Sequence, residues 1–376
     1  MIKFDFKGEE ISALGMGMMR LPRTGESDAS VDIPEVCRMV DRAIESGINY
    51  FDTAWMYHCG KSEEITGKSL LRHGREKFLI ADKFPGQNAE AVQNVKKTFE
   101  TQLERCQCGY FDFYLLHNLY EKNLDIYLND EKYGIISYLL KQKAAGKFRH
   151  FGISCHGTVE TMKKFLDRYA PLMEFCQIQL NYLDWDLQDA RAKVELLRQY
   201  NIPVWVMEPL RGGALTKVSP ETESRMQKQR PGMTPIEWGF RFLQTIPEVK
   251  VVLSGMSNME QLEDNLRIFS EKQPLSPQEF DFLVETGRQM VHSVGVPCTG
   301  CRYCMSKCPQ QLNIPFLLSQ YNEFSFNKKG WIHKVMLESL PENRRPGACI
   351  GCRACETQCP QQIEISEIMK RFIKGI

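Results

Sequence analysis

The 376-residue chain lacks several features that would assign it to a broad functional class. Lysine and arginine total 48, and aspartate and glutamate total 47. The resulting formal net charge of +1 indicates neither a nucleic-acid-binding face nor a polybasic membrane surface. No apolar run approaches the roughly 18 residues that span a bilayer, and the first residues lack the apolar core of a signal peptide. We therefore expect a soluble, cytoplasmic protein that binds neither nucleic acid nor membrane.

The composition is that of an ordinary globular protein, with 43% hydrophobic and 25% charged residues. At this length we expect one large domain over residues 1–285 and a smaller one over residues 286–376. Of the 14 cysteines, six are scattered before Pro297 and eight fall in two tight clusters after it. In a cytosolic chain, clustered cysteines usually bind metal, whereas scattered ones are usually buried.

Short apolar segments alternate with amphipathic helices through the larger domain. We predict strands at residues 14–16, 50–52, 78–81, 111–116, 150–153, 177–180, 204–207 and 251–253. We predict helices that begin near residues 34 and 259 and helices at 62–71, 89–104, 131–145, 158–169, 187–200 and 234–245. Eight strand–helix units indicate a closed (β/α)₈ TIM barrel. An open, doubly wound sheet is the alternative, but Gly15-Met16-Gly17 lacks the third glycine of a phosphate-binding turn.

Polar side chains accompany three consecutive predicted strands. Asp52 ends the second strand, and Tyr57 follows it in the next loop. Lys83 and His117 come just after the third and fourth strands. Because the C-terminal ends of barrel strands converge on one face, we expect these four side chains to lie together there.

These four residue types can handle a proton during the reduction of a carbonyl group. A tyrosine with a pKa of about 10 is a slow acid at neutral pH, and a neighbouring lysine ammonium lowers that pKa. We therefore assign Tyr57 as the general acid and Lys83 as the group that polarises it. Asp52 would keep the lysine charged, and His117 would orient the substrate oxygen. The alternative is a structural Asp–Lys ion pair, with the tyrosine and histidine as wall residues.

Residues 1 to about 285 resemble the aldo-keto reductase family. The resemblance rests on the sequence around Tyr57 and on segments that include Gly152-Ile153-Ser154 and Ser254-Gly255. It implies a barrel that reduces small carbonyl substrates with a nicotinamide cofactor, and it gives the four polar residues the same roles. In such a barrel the residues at positions 154 and 179 hold the nicotinamide carboxamide, and the last loop with its helix start holds the adenosine phosphate. The implied cofactor-binding residues are Ser154, Gln179, Met207, Pro209, Leu210, Gly212, Ser254, Gly255, Ser257, Gln261 and Asn265.

The chain departs from this family at positions that bear on the cofactor. Cys155 stands where the family usually has asparagine, and Met207 stands where an aromatic residue often stacks on the nicotinamide. The last loop, Met256-Ser257-Asn258, offers no lysine or arginine for a 2′-phosphate, although Arg267 lies just beyond it. Both NADP and NAD therefore remain open.

Two further features near the expected mouth of the barrel have alternative interpretations. Residues 208–233 form a long polar loop that is either a lid over the cofactor or a connector. Cys59, Cys155, His58 and His156 could form a metal or nucleophile site, but their spacing matches no ligand pattern and favours packing.

The most specific spacing signal is a repeated cysteine motif near the end of the chain. Its two copies are Cys298-x₂-Cys301-x₂-Cys304-x₃-Cys308-Pro309 and Cys349-x₂-Cys352-x₂-Cys355-x₃-Cys359-Pro360. The repeat resembles a bacterial-type ferredoxin domain with two 4Fe–4S clusters. A pair of zinc sites is the alternative, but zinc sites favour paired thiolates separated by longer loops.

In a ferredoxin domain, three thiolates of one motif hold a cluster together with the last thiolate of the other motif. We therefore group Cys298, Cys301, Cys304 and Cys359 on one cluster, and Cys349, Cys352, Cys355 and Cys308 on the other. The residues between the motifs are more numerous than in a compact ferredoxin, and we predict helices at 314–321 and 331–340. The domain is therefore expected to be partly helical.

Two functions account for these features. The first is an iron–sulfur aldo-keto reductase that transfers a hydride to or from a small carbonyl substrate and exchanges electrons with a ferredoxin or another carrier. The second is a redox sensor or electron relay whose barrel binds nucleotide without rapid carbonyl turnover. No flavin motif is visible that would link two-electron hydride transfer to one-electron clusters, so the clusters could also serve only to stabilise the fold.

Overall fold

The structure is a computed structural model that describes residues 1–298, 300–328 and 330–376. The chain forms two compact units. One consists of Met1–Asn181 and Ala190–Phe280, and the other consists of Tyr182–Asp189 and Asp281–Ile376. In the part of the chain that is described, no helix combines the length and the apolar character needed to cross a membrane.

The first unit is a closed barrel of eight parallel strands, which confirms the predicted fold class. A hairpin of β1 (Lys3–Phe6) and β2 (Glu9–Ser12) precedes the barrel. The barrel strands are β3 (Leu14–Gly17), β4 (Tyr50–Asp52), β5 (Leu79–Phe84), β6 (Phe111–Leu119), β7 (Phe148–Cys155), β8 (Phe175–Gln179), β9 (Val204–Met207) and β10 (Val249–Ser254). Each strand pairs with the next along the chain, and β10 pairs with β3 to close the sheet.

Helices connect the strands of the barrel. They are α1 (Ile33–Glu45), α2 (Ser62–Leu70), α3 (Ala89–Gln93), α4 (Val95–Arg105), α5 (Leu124–Leu128), α6 (Asp130–Tyr133), α7 (Ile135–Ala144), α8 (Val159–Tyr169), α9 (Asp184–Leu187), α10 (Ala190–Gln199), α11 (Pro220–Gln229), α12 (Pro235–Thr245) and α13 (Met259–Ile268). Several begin where the sequence provides a cap. Thr234 and Glu237 form a reciprocal capping box at α12, with proline at its first position.

Four local expectations were wrong. The helix predicted at 131–145 is divided into α6 and α7 at Gly134, whose φ is 62°. Strands β5 and β6 continue past their last apolar residues, so Lys83 and His117 lie inside the strands rather than after them. A strand can contain polar residues near its C-terminal end when their side chains find partners there. A prediction that ends each strand at its last apolar residue therefore makes the strand too short. The helix predicted at 89–104 is divided at Asn94, which lies outside helical geometry. The predicted loop 208–233 contains α11, whose polar sequence lacks an apolar stripe but whose start is capped by Ser219.

Aromatic side chains fill one end of the barrel. The Phe6 ring lies 6.0 Å from the Phe113 ring and 5.1 Å from the Trp205 ring, measured between centroids. Phe113 and Trp205 lie near the starts of β6 and β9, so the hairpin closes the end opposite the strand C-termini. The C-terminal face is therefore the face left for chemistry.

A largely buried carboxylate, Glu174, holds this closed end together. Its oxygens lie 2.8 Å from Lys7 Nζ and 2.9 Å from His150 Nδ1, and Lys143 is also bonded to it. Burial acts to raise the pKa of Glu174, but the hydrogen bonds from His150, Lys143 and Lys7 hold it well below its ordinary value. The carboxylate is therefore charged at neutral pH and joins the hairpin to the barrel.

We expect Glu174→Gln to lower the free energy of unfolding at pH 7 by about 2 kcal/mol, because it removes charge-assisted hydrogen bonds from a largely buried group. The measurement is the thermal unfolding midpoint followed by circular dichroism. Glu195→Gln, which disrupts an exposed pair with Arg198, is the matched control and should leave the midpoint unchanged. Equal midpoints for all three proteins would contradict a stabilising role for Glu174.

The second unit is largely helical and has its own core. Its longer helices are α14 (Pro277–Val294, whose first residues belong to the barrel unit), α15 (Ile314–Phe326), α16 (Ile332–Glu338) and α17 (Ile365–Gly375). Leu317, Leu318, Ile365 and Phe372 are almost fully buried in a cluster that also packs against cysteines of both motifs. The helical content between the motifs agrees with the prediction for this segment.

Candidate active site

The centre of the C-terminal face is a buried ion pair between neighbouring strands. Lys83 Nζ on β5 donates to Asp52 Oδ1 on β4 at 2.5 Å and to the Thr53 carbonyl oxygen at 2.7 Å. The side chains of Asp52 and Lys83 are only 4% and 1% exposed. Burial acts to lower the pKa of Lys83, but Asp52 and Tyr57 hold it above its ordinary value. The lysine is therefore an ammonium ion at neutral pH.

The phenol of Tyr57 lies beside this ammonium. Its hydroxyl is 3.5 Å from Lys83 Nζ, and its side chain is half-buried. Burial raises the pKa of Tyr57 above its ordinary value and outweighs the lowering effect of Lys83. The lysine thus acts in the direction expected from the sequence, but the net shift is the opposite one. Tyr57 is consequently a fully protonated acid at neutral pH.

The imidazole of His117 is the third group on this face. Its ring centroid lies 6.0 Å from that of Tyr57, with the ring planes at 85°. Burial, Lys83 and His156 lower the pKa of His117 well below its ordinary value, so the ring is neutral. Gln87 Nε2 lies 3.4 Å from His117 Nδ1. With the Gln87 amide nitrogen as the donor, Nδ1 accepts and the ring proton lies on Nε2. Gln87 is a contact of this ring that the sequence analysis missed.

The turn that carries Tyr57 has an unusual backbone. His58, Cys59 and Gly60 all have positive φ, at 52°, 55° and 84°. Two consecutive non-glycine residues in this region cost free energy that other contacts must offset. The buried ring of His58 provides such contacts, since Nε2 accepts from the Leu21 amide at 3.3 Å and Nδ1 donates to the Asp28 carbonyl at 2.9 Å.

These bonds also bear on the alternative Cys/His site. Both ring nitrogens of His58 are committed to backbone groups, and Cys59 is exposed on the strained turn. Cys155 is fully buried, and burial raises its pKa to about 11. A thiol with that pKa is a poor nucleophile at neutral pH, so the structure argues against Cys155 as a nucleophile and against His58 as a metal ligand.

Residues expected at the nicotinamide end come from adjacent strand ends. Ser154 lies near the end of β7, and Gln179 and Met207 end β8 and β9, where they are register partners. The Ser154 hydroxyl accepts a hydrogen bond from the Asn118 amide at 2.7 Å. Pro209, Leu210 and Gly212 follow β9 in the next loop.

Asn118 is a second residue that the sequence analysis missed. It directly follows His117, has a φ of 55°, and its side-chain oxygen is buried with no hydrogen-bond partner among the described residues. A buried acceptor without a partner beside Ser154 suits the amide N–H groups of a carboxamide. The sequence did contain one indication of its importance, because Asn118 directly follows a predicted catalytic residue near the end of a barrel strand.

The remaining expected cofactor residues meet after β10. Asn265 Nδ2 donates to Ser254 Oγ at 2.9 Å, and the Ser257 amide donates to Gln261 Oε1 at 2.8 Å. Gly255 lies against Arg20, because a Cβ atom there would approach that side chain to 2.9 Å. The structure therefore brings Ser254, Gly255, Ser257, Gln261 and Asn265 together at the start of α13.

The cysteines of the tail surround two separate cavities. The residues that line one cavity include Cys298, Cys301, Cys304 and Cys359. Those that line the other include Cys308, Cys349, Cys352 and Cys355. The cavities enclose about 300 and 360 Å³, open mouths included. Each cavity thus combines three cysteines of one motif with the last cysteine of the other.

The donor set fits an iron–sulfur cluster better than a single ion. Among the residues that are described, no three Cys, His, Asp or Glu side chains converge closely enough to hold one metal ion. A tetrahedral zinc ion with bonds of about 2.3 Å would hold its thiolates only about 3.8 Å apart. A cubane offers a separate iron to each thiolate, so its ligands stand further apart around a larger space.

Comparisons with known proteins find a family for each part of the chain. The model of the aldo/keto reductase family matches residues 13–287. The model of the 4Fe-4S dicluster domain matches residues 297–364. The second match covers both cysteine motifs and the helical segment between them.

Curated relatives and solved structures resemble the barrel. An uncharacterised oxidoreductase of Bacillus subtilis, YqkF, is 24% identical over 75% of this chain and 95% of its own. The L-galactose dehydrogenase of Arabidopsis thaliana is 27% identical over 71% of this chain and 87% of its own. The aldo-keto reductase AKR11C1 of Bacillus halodurans superposes with a TM-score of 0.60 at 22% identity, over 76% of this chain and 95% of its own. At that identity the structural match supports the fold alone.

Proposed function

Since the chain belongs to the aldo/keto reductase family, we propose that its barrel reduces a small carbonyl compound with a nicotinamide dinucleotide. The observation that carries this proposal is the position of Lys83 Nζ, which contacts Asp52 at 2.5 Å and the Tyr57 hydroxyl at 3.5 Å. A structural ion pair has no need of a phenol at its open side. The protein is an oxidoreductase with a 4Fe–4S dicluster domain.

The side chains of the face handle the substrate oxygen. The dinucleotide, when bound, supplies a hydride to the carbonyl carbon. Tyr57 gives its proton to the oxygen as negative charge develops there, and Lys83 stabilises the phenolate that results. The neutral ring of His117 donates a hydrogen bond from Nε2 to the same oxygen and so fixes its direction. Ser154, Gln179 and Asn118 would hold the carboxamide of the dinucleotide.

Tyr57→Phe removes the proton donor and leaves the rest of the face in place. We expect kcat/KM for carbonyl reduction to fall by about 10³, within the range of general acid catalysis, while the dinucleotide Kd changes by less than about threefold. Tyr169→Phe, at the C-terminal end of α8 and so towards the end of the barrel where β8 begins, is the matched control. Full turnover by Tyr57→Phe would overturn the assignment. Nucleotide binding by the wild type without turnover of any carbonyl in a broad panel would favour the relay function instead.

The pH dependence of reduction follows from the two pKa shifts. The active form has a protonated Tyr57, whose pKa is raised, so activity should persist to about pH 9 and fall only above about pH 10. His117 has a lowered pKa, so no loss is expected as the pH falls from 7 to about 6. The measurement is kcat/KM between about pH 6 and 10.5. A falling limb centred near pH 7 to 8 would mean that the lysine outweighs burial at Tyr57.

We further propose that the tail holds two 4Fe–4S clusters, each in one of the two cysteine-lined cavities. Cys298, Cys301, Cys304 and Cys359 would hold one cluster, and Cys308, Cys349, Cys352 and Cys355 the other. Each cluster, when bound, carries one electron at a time, which suits exchange with a separate one-electron carrier such as a ferredoxin.

Pairs of substitutions test this grouping through iron content. The wild type, purified without oxygen, should contain about eight irons, because each cubane holds four. Cys308→Ala with Cys349→Ala alters one cavity only and should leave about four irons. Cys308→Ala with Cys304→Ala alters both cavities and should leave almost none. Cys37→Ala, at one of the scattered cysteines, is the control and should keep all eight. The opposite result for the two pairs would mean that each motif holds its own cluster.

A further inference from the structure

The start of α13 offers little positive charge to a ligand. Asn258 caps the helix, since its side-chain oxygen accepts from the Gln261 amide at 2.9 Å. The side chain of Gln261 is in turn bonded to the Ser257 amide at 2.8 Å. The ionisable residue of this first turn is Glu260, which is exposed and acidic. A 2′-phosphate, with a charge of about −1.5 to −2, would meet a carboxylate here.

The nearest arginine along the helix is Arg267, and it is already paired with two carboxylates. Arg267 donates from Nη1 to Glu237 Oε1 and from Nη2 to Asp264 Oδ1, both at 2.8 Å. Burial acts to raise the pKa of Glu237, but the hydrogen bonds from Thr234 and Arg267 hold it below its ordinary value. Glu237 therefore stays charged, and its place in the capping box of α12 fixes its position. A phosphate at this guanidinium would have to share it with two carboxylates.

Two other arginines around this segment are paired as well. Arg42 makes two hydrogen bonds, of 2.5 and 3.0 Å, to the carboxylate of Glu263 on α13. Arg20, which lies against Gly255, donates to Glu208 at 2.9 Å. A competing base is Lys217, an exposed residue of the loop after β9.

From these contacts we infer that the dinucleotide site takes NAD(H) in preference to NADP(H), an inference that rests on the proposed function. A carboxylate at the adenosine ribose accepts a hydrogen bond from a 2′-hydroxyl but repels a 2′-phosphate. Glu260 is the carboxylate of the first turn of α13, where the family resemblance puts the adenosine end of the dinucleotide. Arg267 is paired with Glu237 and Asp264, Arg42 with Glu263, and Arg20 with Glu208.

Direct binding measures this preference without turnover. The full-length protein, prepared without oxygen, is titrated separately with NADH and NADPH while the fluorescence of the reduced nicotinamide is followed. We expect the Kd for NADH to be lower than that for NADPH by about tenfold or more. Glu260→Gln, an exposed substitution, removes the repelling charge. It should lower the Kd for NADPH without changing the Kd for NADH, and so reduce the difference between the two.

A gained guanidinium gives a second, independent readout. Gln261→Arg places a positive charge in the first turn of α13 and should tighten NADPH by about tenfold, with a much smaller effect on NADH. Gln199→Arg makes the same chemical change at the exposed C-terminal end of α10 and should alter neither Kd. Lys217→Ala tests the competing base and should leave the preference for NADH unchanged.

The outcomes separate this inference from the function on which it rests. Equal affinities, or tighter binding of NADPH by the wild type, would overturn the preference while leaving the reductase proposal intact. A selective loss of NADPH binding in Lys217→Ala would identify that lysine as the phosphate ligand and overturn it as well. Binding of neither nucleotide would instead overturn the proposed function itself.

Discussion

The buried ion pair of Lys83 and Asp52 is the constraint on which the rest of the site depends. Removing two charges from water costs free energy that their mutual attraction repays only in part, so such a pair is weak evidence for stability. Here it leaves one side of the ammonium directed at a phenol. That arrangement requires β4 and β5 to lie side by side, as they do in the closed barrel, where Asp52 pairs with Ala81. The fold thus places the ammonium group of Lys83 beside the phenol of Tyr57.

The sequence was sufficient for the fold class because alternating strand and helix patterns are local and recur eight times. It also brought the four polar residues to one face, since parallel strands in a barrel share a direction. It could not supply the net pKa of Tyr57, because burial depends on which distant segments cover the ring. The same limit applies to His58, whose partners Leu21 and Asp28 lie about thirty or more residues away along the chain. Asn118 escaped notice because its importance arises from an unsatisfied oxygen, a property that the side chain acquires only when the chain folds around it.

The tail illustrates the opposite case, in which spacing alone carries most of the information. Two motifs with the same internal intervals fold into similar turns, so their relation can be inferred from the residue intervals themselves. The cavities unite cysteines more than forty residues apart, such as Cys308 with Cys349 and Cys304 with Cys359. Helices α15 and α16 fill the interval between the motifs and supply much of the core behind the cavities. Their boundaries were harder to predict because α16 is short and its surroundings are set by packing.

Neighbouring carboxylates distinguish two basic residues of this barrel, Lys83 and Arg267. Asp52 and the Thr53 carbonyl satisfy two of the three N–H groups of Lys83, and the third remains available to the Tyr57 hydroxyl. Arg267 differs from Lys83, because it donates two hydrogen bonds to Glu237 and Asp264, whose two carboxylates balance its charge. The two residues have the same charge and lie in the same unit, yet we propose a role in catalysis for Lys83 and a structural role for Arg267. The difference lies in the partners, so a count of basic residues in a sequence cannot distinguish a binding cation from a structural one.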